Sequence, residues 1–298
     1  MTVEFIQAPE IPGWIQEVYP FKRRIAMIDG LRMHFVDDGE GPVVLMLHGN
    51  PTWSFLWRKV ITRLLPEGVR CVAPDLIGLG LSDKPTDPAA HTFEMHAGKL
   101  RALVEALDLR DITIVGQDWG GPIVTSLAAR DPARVRAAVY ANTAVLSPGK
   151  RIRATKFHRF SQRPAISEVA FRGFNFVVRM MPRIQGDPAS IGRLEKRAYS
   201  WPLDSWSHRA APLGLARMVA TSPEHPSLAL MEECDTWVRG FKGPAALVWG
   251  LKDPILGKSL RRLREALPHA SVTETQAGHF CQEEIPDELA RAILGVTK

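Results

Sequence analysis

The chain has 298 residues, 45% of them apolar and 23% charged, with a net charge of +6, which suits one large soluble domain carrying an insertion. No apolar run approaches the roughly 18 residues of a membrane span, and the start MTVEFIQAPEIPGW, with Glu4 and Glu10, lacks the basic and apolar regions of a leader. Three cysteines, Cys71, Cys234 and Cys281, without C-x-x-C spacing, support neither a disulfide framework nor a thiolate metal site, so a reduced, cytoplasmic protein is expected.

Residues 24–29 and 31–37 read as strands flanking Asp29-Gly30, a two-residue hairpin signal. Val43–Leu47 is a short continuous apolar run, as a buried parallel strand should be. A helix over 54–65, a strand over 70–73 and a helix over 92–107 follow, then a strand over 112–115, a glycine-flanked turn and a small-residue helix from near Gly120. A strand over 135–141 closes this half. From 147 to about 223 the alternation breaks into a segment rich in Arg, Phe, Trp and Pro, helical where regular. Strand 245–249, helix 258–267, strand Ser271–Thr275 and a closing helix from Pro286 restore it. The expected organisation is a core in two parts, 1–146 and 224–298, split by a helical cap, 147–223.

The cap is basic: residues 147–217 hold 14 Lys or Arg against 4 Asp or Glu, leaving the rest of the chain net acidic. The charges are scattered and no nucleic-acid motif accompanies them, so a solvated surface is expected, with no nucleic-acid partner. Such a surface is expected to favour association with other chains, a second copy of this one in a homo-oligomer among them, or with anionic surfaces more than substrate choice.

The turn after strand 112–115 reads Gly116-Gln117-Asp118-Trp119-Gly120. This is the spacing of a nucleophile elbow, with aspartate where serine usually stands. A serine must lose a proton to attack a carbonyl carbon. A carboxylate is already ionised near neutral pH and can displace a leaving group from saturated carbon, giving an ester with the protein.

The stretches LHGNPTWSFLWR (47–58), APDLIGLGLSDKP (73–85), GQDWGGP (116–122), WGLKDPI (249–255) and AGHFCQEEIPDELA (277–290) together resemble the α/β-hydrolase superfamily and, within it, the haloalkane dehalogenases. The resemblance implies an α/β fold with a mostly parallel eight-stranded sheet, helices on both faces, an inserted helical cap, and the site between cap and core. The cap itself carries no comparable signature.

Taken alone, Asp118 also fits a helix N-cap. Crowding by Gly116, Gly120 and Gly121 favours an exposed nucleophile instead. The resemblance makes His279, in Ala277-Gly278-His279-Phe280, the base that activates water. It makes Asp253 the acid that orients His279, although beside Pro254 it also reads as a turn residue. The family's other position for this acid corresponds most nearly to Asn142, which cannot carry the charge. A departing halide needs donors and no proton. Trp119 offers an indole N–H and Asn50 an amide NH2, resembling the halide-binding pair of one branch, although each also has a structural reading. The backbone N–H groups of Asn50 and Trp119 are the natural oxyanion donors, since Pro51 has none. Another branch takes its second halide donor from a cap tryptophan, which here would be Trp201 or Trp206. Other cap aromatics, such as Phe157, Phe160, Phe171, Phe174 and Phe176, divide between cap core and pocket wall.

The expected function is hydrolysis of small apolar haloalkanes to alcohol and halide, with no metal and no organic cofactor, since no metal-ligand or phosphate-loop motif is present. An epoxide hydrolase resembles this chain in its Asp-His-Asp set, but that family protonates the opening alkoxide with two cap tyrosines, and of Tyr19, Tyr140 and Tyr199 only the last lies in the cap. Fluoroacetate dehalogenases place arginines soon after the nucleophile, whereas here the first is Arg130. A non-catalytic receptor would have no use for an intact Asp118, His279 and Asp253.

Overall fold

The computed structural model describes residues 3–149, 152 and 155–298. Lys150, Arg151, Arg153 and Ala154, within the expected cap, lie outside the described residues. The described chain forms a nine-stranded sheet: β1 (Glu4–Gln7), β2 (Arg23–Ile28), β3 (Leu31–Asp38), β4 (Val43–Leu47), β5 (Arg70–Pro74), β6 (Ile112–Asp118), β7 (Val135–Thr143), β8 (Ala245–Gly250) and β9 (Ser271–Thr275). Their order is β1-β2-β3-β5-β4-β6-β7-β8-β9. The pairings from β5 to β9 are parallel, and those joining β1, β2, β3 and β5 are antiparallel.

The β2–β3 hairpin turns on Asp29 (φ 49°) and Gly30 (φ 75°), with Ile28 opposite Leu31. Two successive left-handed residues are what a tight turn matched to strand twist requires. Strands β4, β6 and β8 are buried along nearly their whole length, as expected of parallel strands covered on both faces.

The eight strands implied by the resemblance are corrected to nine. The added strand, β1, is an edge of four mostly exposed residues, so it left no alternating apolar signal. The expected helix over 54–65 is a 3-10 turn, Ser54–Trp57, running into an α-helix, Arg58–Leu64. Thr92 caps rather than enters its helix, Phe93–Ala106, its hydroxyl accepting from the Met95 N–H. A helix not anticipated, Ser227–Gly240, packs on the elbow helix Gly120–Arg130. Its signal was legible in the buried Leu230, Met231, Cys234 and Val238, which share one helical face.

Between β7 and β8 the described residues form only helices and turns, from Lys156–Ser161 through Ala210–Arg217 to Ser227–Gly240. The three cysteines are free and buried. Among the described residues no helix is long and apolar enough to cross a membrane.

Candidate active site

Asp118 stands at the carboxyl end of β6, in the middle of the parallel strands, where α/β sheets bind ligands. Its φ is +50°, a left-handed conformation that aspartate adopts at a cost and that points the carboxylate out of the turn. The flanking glycines are sterically required. A Cβ on Gly120 would strike the Leu47 carbonyl, and one on Gly49 would strike Asp118 itself. Asp118 Oδ1 accepts the backbone N–H of Asn50 at 2.8 Å, and the Asp118 carbonyl accepts the Thr143 hydroxyl at 2.6 Å.

The other carboxylate oxygen, Oδ2, lies 3.6 Å from His279 Nε2. His279 Nδ1 donates to Asp253 Oδ2 at 2.9 Å, which turns Nε2 toward Asp118. Asp118, His279 and Asp253, far apart in sequence, thus form one chain of contacts. Burial alone would lower the His279 pKa, but Asp253 and Asp118 outweigh it and push it up to about 10. Asp253 is itself held below the usual carboxylate range. Burial opposes this, but His279, the Asn142 amide and the Ile255 N–H prevail.

Asn142, noted in the sequence only for lacking a charge, clamps Asp253. Its Nδ2 donates to Asp253 Oδ2 at 2.9 Å and to the Gly250 carbonyl at 3.0 Å, while its Oδ1 accepts the Gly250 N–H at 2.8 Å. The loop carrying His279 is tied to the cap side. The His279 N–H donates to the Ile184 carbonyl at 2.9 Å, and Gln185 both accepts from the Phe280 N–H at 2.8 Å and donates to its carbonyl at 3.1 Å. Buried Glu283 takes a bidentate pair from Arg58 at 2.6 and 2.9 Å and the Tyr199 hydroxyl at 2.6 Å, and Arg58 also reaches Glu195 at 3.0 Å. Arg58 and Glu283 sit inside the recognised motifs, but nothing in those motifs says that they meet across 225 positions. Gln185 carried no signal.

Over Asp118 and His279 opens a cavity of about 610 Å³, lined mainly by apolar side chains. Asn50 and Trp119 both line it, with Phe157 and Phe176 from the cap. The Asn50 Nδ2 donates to the Pro212 carbonyl at 2.9 Å, which occupies one of its two N–H groups and ties it to the cap. Its Oδ1 is buried with no partner among the described residues. Trp119 packs against Phe93, ring centroids 5.6 Å apart. Neither cap tryptophan lines the cavity: Trp201 packs on Trp14 and Trp53, and Trp206 is 46% exposed with Arg172 over its ring. Among the described residues no group of His, Cys, Asp or Glu is arranged to hold a metal ion.

Residues 42–286 match the family model described as the alpha/beta hydrolase fold. A protein of Mycobacterium tuberculosis named haloalkane dehalogenase 2 is 34% identical over 299 residues, 99% of each chain. A cis-3-alkyl-4-alkyloxetan-2-one decarboxylase of Shewanella oneidensis is 32% identical, over 92% of this chain and 88% of its own. The crystal structure of the haloalkane dehalogenase DatA from Agrobacterium tumefaciens superposes with a TM-score of 0.80 at 29% identity, covering 91% of this chain and 94% of that one.

Proposed function

This chain belongs to the α/β-hydrolase family, in the branch that holds haloalkane dehalogenases, and we propose that it hydrolyses haloalkanes to alcohol and halide through an alkyl ester on Asp118. The observation that carries this reading is Asp118 itself: a carboxylate on a strained elbow, held by the Asn50 N–H at 2.8 Å, with His279 Nε2 at 3.6 Å and Asp253 behind it.

In the first step the Asp118 carboxylate attacks the halogen-bearing carbon. A C–O bond forms as the C–halogen bond breaks, and the halide leaves with its electron pair toward the indole N–H of Trp119 and the second amide N–H of Asn50. Ester formation removes the Asp118 charge and with it part of what raises the His279 pKa, so the imidazole gives up its proton more readily once the intermediate exists. Neutral His279 Nε2 then takes a proton from water, and the hydroxide adds to the Asp118 carbonyl carbon. The oxyanion rests on the backbone N–H groups of Asn50 and Trp119. Collapse breaks the ester bond and the alcohol leaves with the proton from His279; Asp118 is left as the carboxylic acid, and its proton passes to His279 Nε2, which restores the carboxylate and the imidazolium. Asp253 stabilises the imidazolium each time it forms.

The epoxide-hydrolase reading loses ground here, because each tyrosine hydroxyl is engaged away from the cavity. Tyr199 binds Glu283, Tyr140 binds Thr125 and Tyr19 binds Ser54. A second reading, opening of an oxetan-2-one ring, is supported by the decarboxylase relative. Attack on saturated ring carbon would expel a carboxylate, which like a halide leaves without a proton, so the same donors serve. Residues 147–223 act in this reading as a cap over the site, and their basic surface supports self-association, to be checked by light scattering across a salt series. Free buried thiols support a cytoplasmic setting.

Halide release from bromo- and iodoalkanes, run beside a cis-3,4-dialkyl oxetan-2-one and a styrene oxide, tests the proposal. Halide with alcohol, unaffected by chelator, is the expected result. Turnover of the lactone or the epoxide without halide release would overturn it.

A further inference from the structure

The cavity over Asp118 carries more charge than an apolar haloalkane has use for. Lys156 and Arg262 both line it, while Asp118 is the one carboxylate among the lining residues. Neither cation makes an ion pair among the described residues. Arg262 is nonetheless anchored, since its Nη2 donates to the Ser147 carbonyl at 2.6 Å. Exposure orders the cavity from mouth to floor: Lys156 and Arg262 are exposed, whereas His279 is buried and the Asp118 side chain is 16% exposed. Most of the other lining side chains are apolar, Val177, Met180, Met218 and Met231 among them. The cavity therefore has a nucleophile at its floor, an aliphatic middle and a cationic rim.

We propose that the substrates best matched to this cavity are amphiphiles, with the reacting carbon at one end of an aliphatic chain and a carboxylate or similar anion at the other, held at the rim by Lys156 and Arg262. The placement of the reacting carbon rests on the reading of Asp118 given above, but the recognition of the anion does not. A short chain would bring the substrate anion against Asp118, and like charges repel more strongly as they approach. A longer chain separates the two anions and fills the apolar wall, so the preference for an anionic end emerges only with length. One cation of the basic cap, Lys156, thus selects the substrate together with Arg262 of the core, in contrast to the solvated role that the scattered pattern suggested.

Binding without chemistry is the decisive measurement. Isothermal titration of octanoate against octan-1-ol needs no turnover, so its outcome is independent of the reaction at Asp118. Octanoate is expected to bind roughly three- to tenfold tighter, a range set by two rim charges in contact with solvent. That advantage should shrink as salt rises and disappear in the Lys156→Ala/Arg262→Ala double variant. Acetate is expected to show no comparable binding. Equal affinity for octanoate and octan-1-ol, or a preference that persists in the double variant, would overturn the inference. Turnover of ω-bromooctanoate and 1-bromooctane then separates the two ideas. If octanoate is preferred and neither bromide releases halide, the rim stands and the dehalogenation reading fails. If both release halide and octanoate has no advantage, the reverse holds.

Discussion

Asn142 and Asp253 meet across the ends of β7 and β8, the Asn142 amide donating to Asp253 Oδ2 at 2.9 Å while Asp253 passes the same oxygen to His279 Nδ1. The acid that orients the base is thus itself oriented, by a residue at φ +38° whose side-chain Oδ1 also accepts the Gly250 N–H. Asn142→Ala removes the donor to Asp253 and leaves the buried Gly250 N–H unpaired, at a cost of about 1–3 kcal/mol. Urea unfolding should show that loss. Asn142→Asp sets a second carboxylate against Asp253, which should raise the Asp253 pKa and slow turnover. Unchanged stability and rate in both variants would remove Asn142 from this role.

The two steps assigned to Asp118 and His279 separate by mutation. Alkylation does not need His279, whereas ester hydrolysis does. His279→Phe should release about one halide per active site and stop, with the alkyl group left on Asp118. Asp118→Ala should release none. Mass spectrometry after exposure to a bromoalkane reads the adduct, and peptide mapping should place it at 116–121. A His279→Phe protein that remains unmodified, or turns over at the original rate, contradicts the assignment.

The charge of Asp118 supports the high pKa of His279, so Asp118→Asn should lower that pKa from about 10, as followed by NMR titration of the imidazole. The alkyl-enzyme also lacks the Asp118 charge, so its hydrolysis should rise with pH through a value below about 10 in single-turnover experiments. The linkage to stability has a definite sign. The folded value lies above the unfolded one, so the contribution of His279 to stability is complete below an unfolded pKa of about 6.5 and is lost as pH rises through about 10.

Arg58 and Glu283 form a buried pair that joins the helix Arg58–Leu64 to the segment just after His279, with Tyr199 and Glu195 attaching the cap. Arg58→Met removes the bidentate partner of Glu283 and leaves it Lys59 and Tyr199, so it should cost somewhat less than the about 3–5 kcal/mol of an unpaired buried charge, whereas replacing both Arg58 and Glu283 by apolar residues should cost less still. Chemical denaturation of the two variants measures the difference. Burial raises the Glu283 pKa, but Arg58 and Lys59 outweigh it and hold the group low, so the stability it contributes is present at neutral pH and is lost as pH falls through its folded value.

The strands that build the centre were legible because burial on both faces leaves a continuous apolar run, as in Val43–Leu47 and at the start of β6. β1 was not, because an exposed edge of four residues needs no apolar pattern to pair. The tight turn that carries Asp118 was readable for a steric reason, since only glycine fits where Gly120 approaches Leu47 and where Gly116 approaches Gly121, and that crowding is written as spacing. Asn50 and Trp119 stand out in the same motifs and both line the cavity, yet no spacing revealed that the Asn50 amide is shared with the Pro212 carbonyl of the cap.

What the sequence determined by itself was chemistry carried by neighbours in the chain: a carboxylate on a glycine-crowded turn, a histidine between the last strand and the closing helix, and an interruption where the α/β alternation fails. What only the tertiary structure decided were pairings between residues too distant for any periodicity to connect. Asn142 on Asp253, Gln185 on Phe280 and Arg58 on Glu283 belong to this class. The physical reason is that local sterics restrict each backbone turn on their own. A hydrogen bond or a charge gains its meaning only from the partner and the dielectric that folding brings to it.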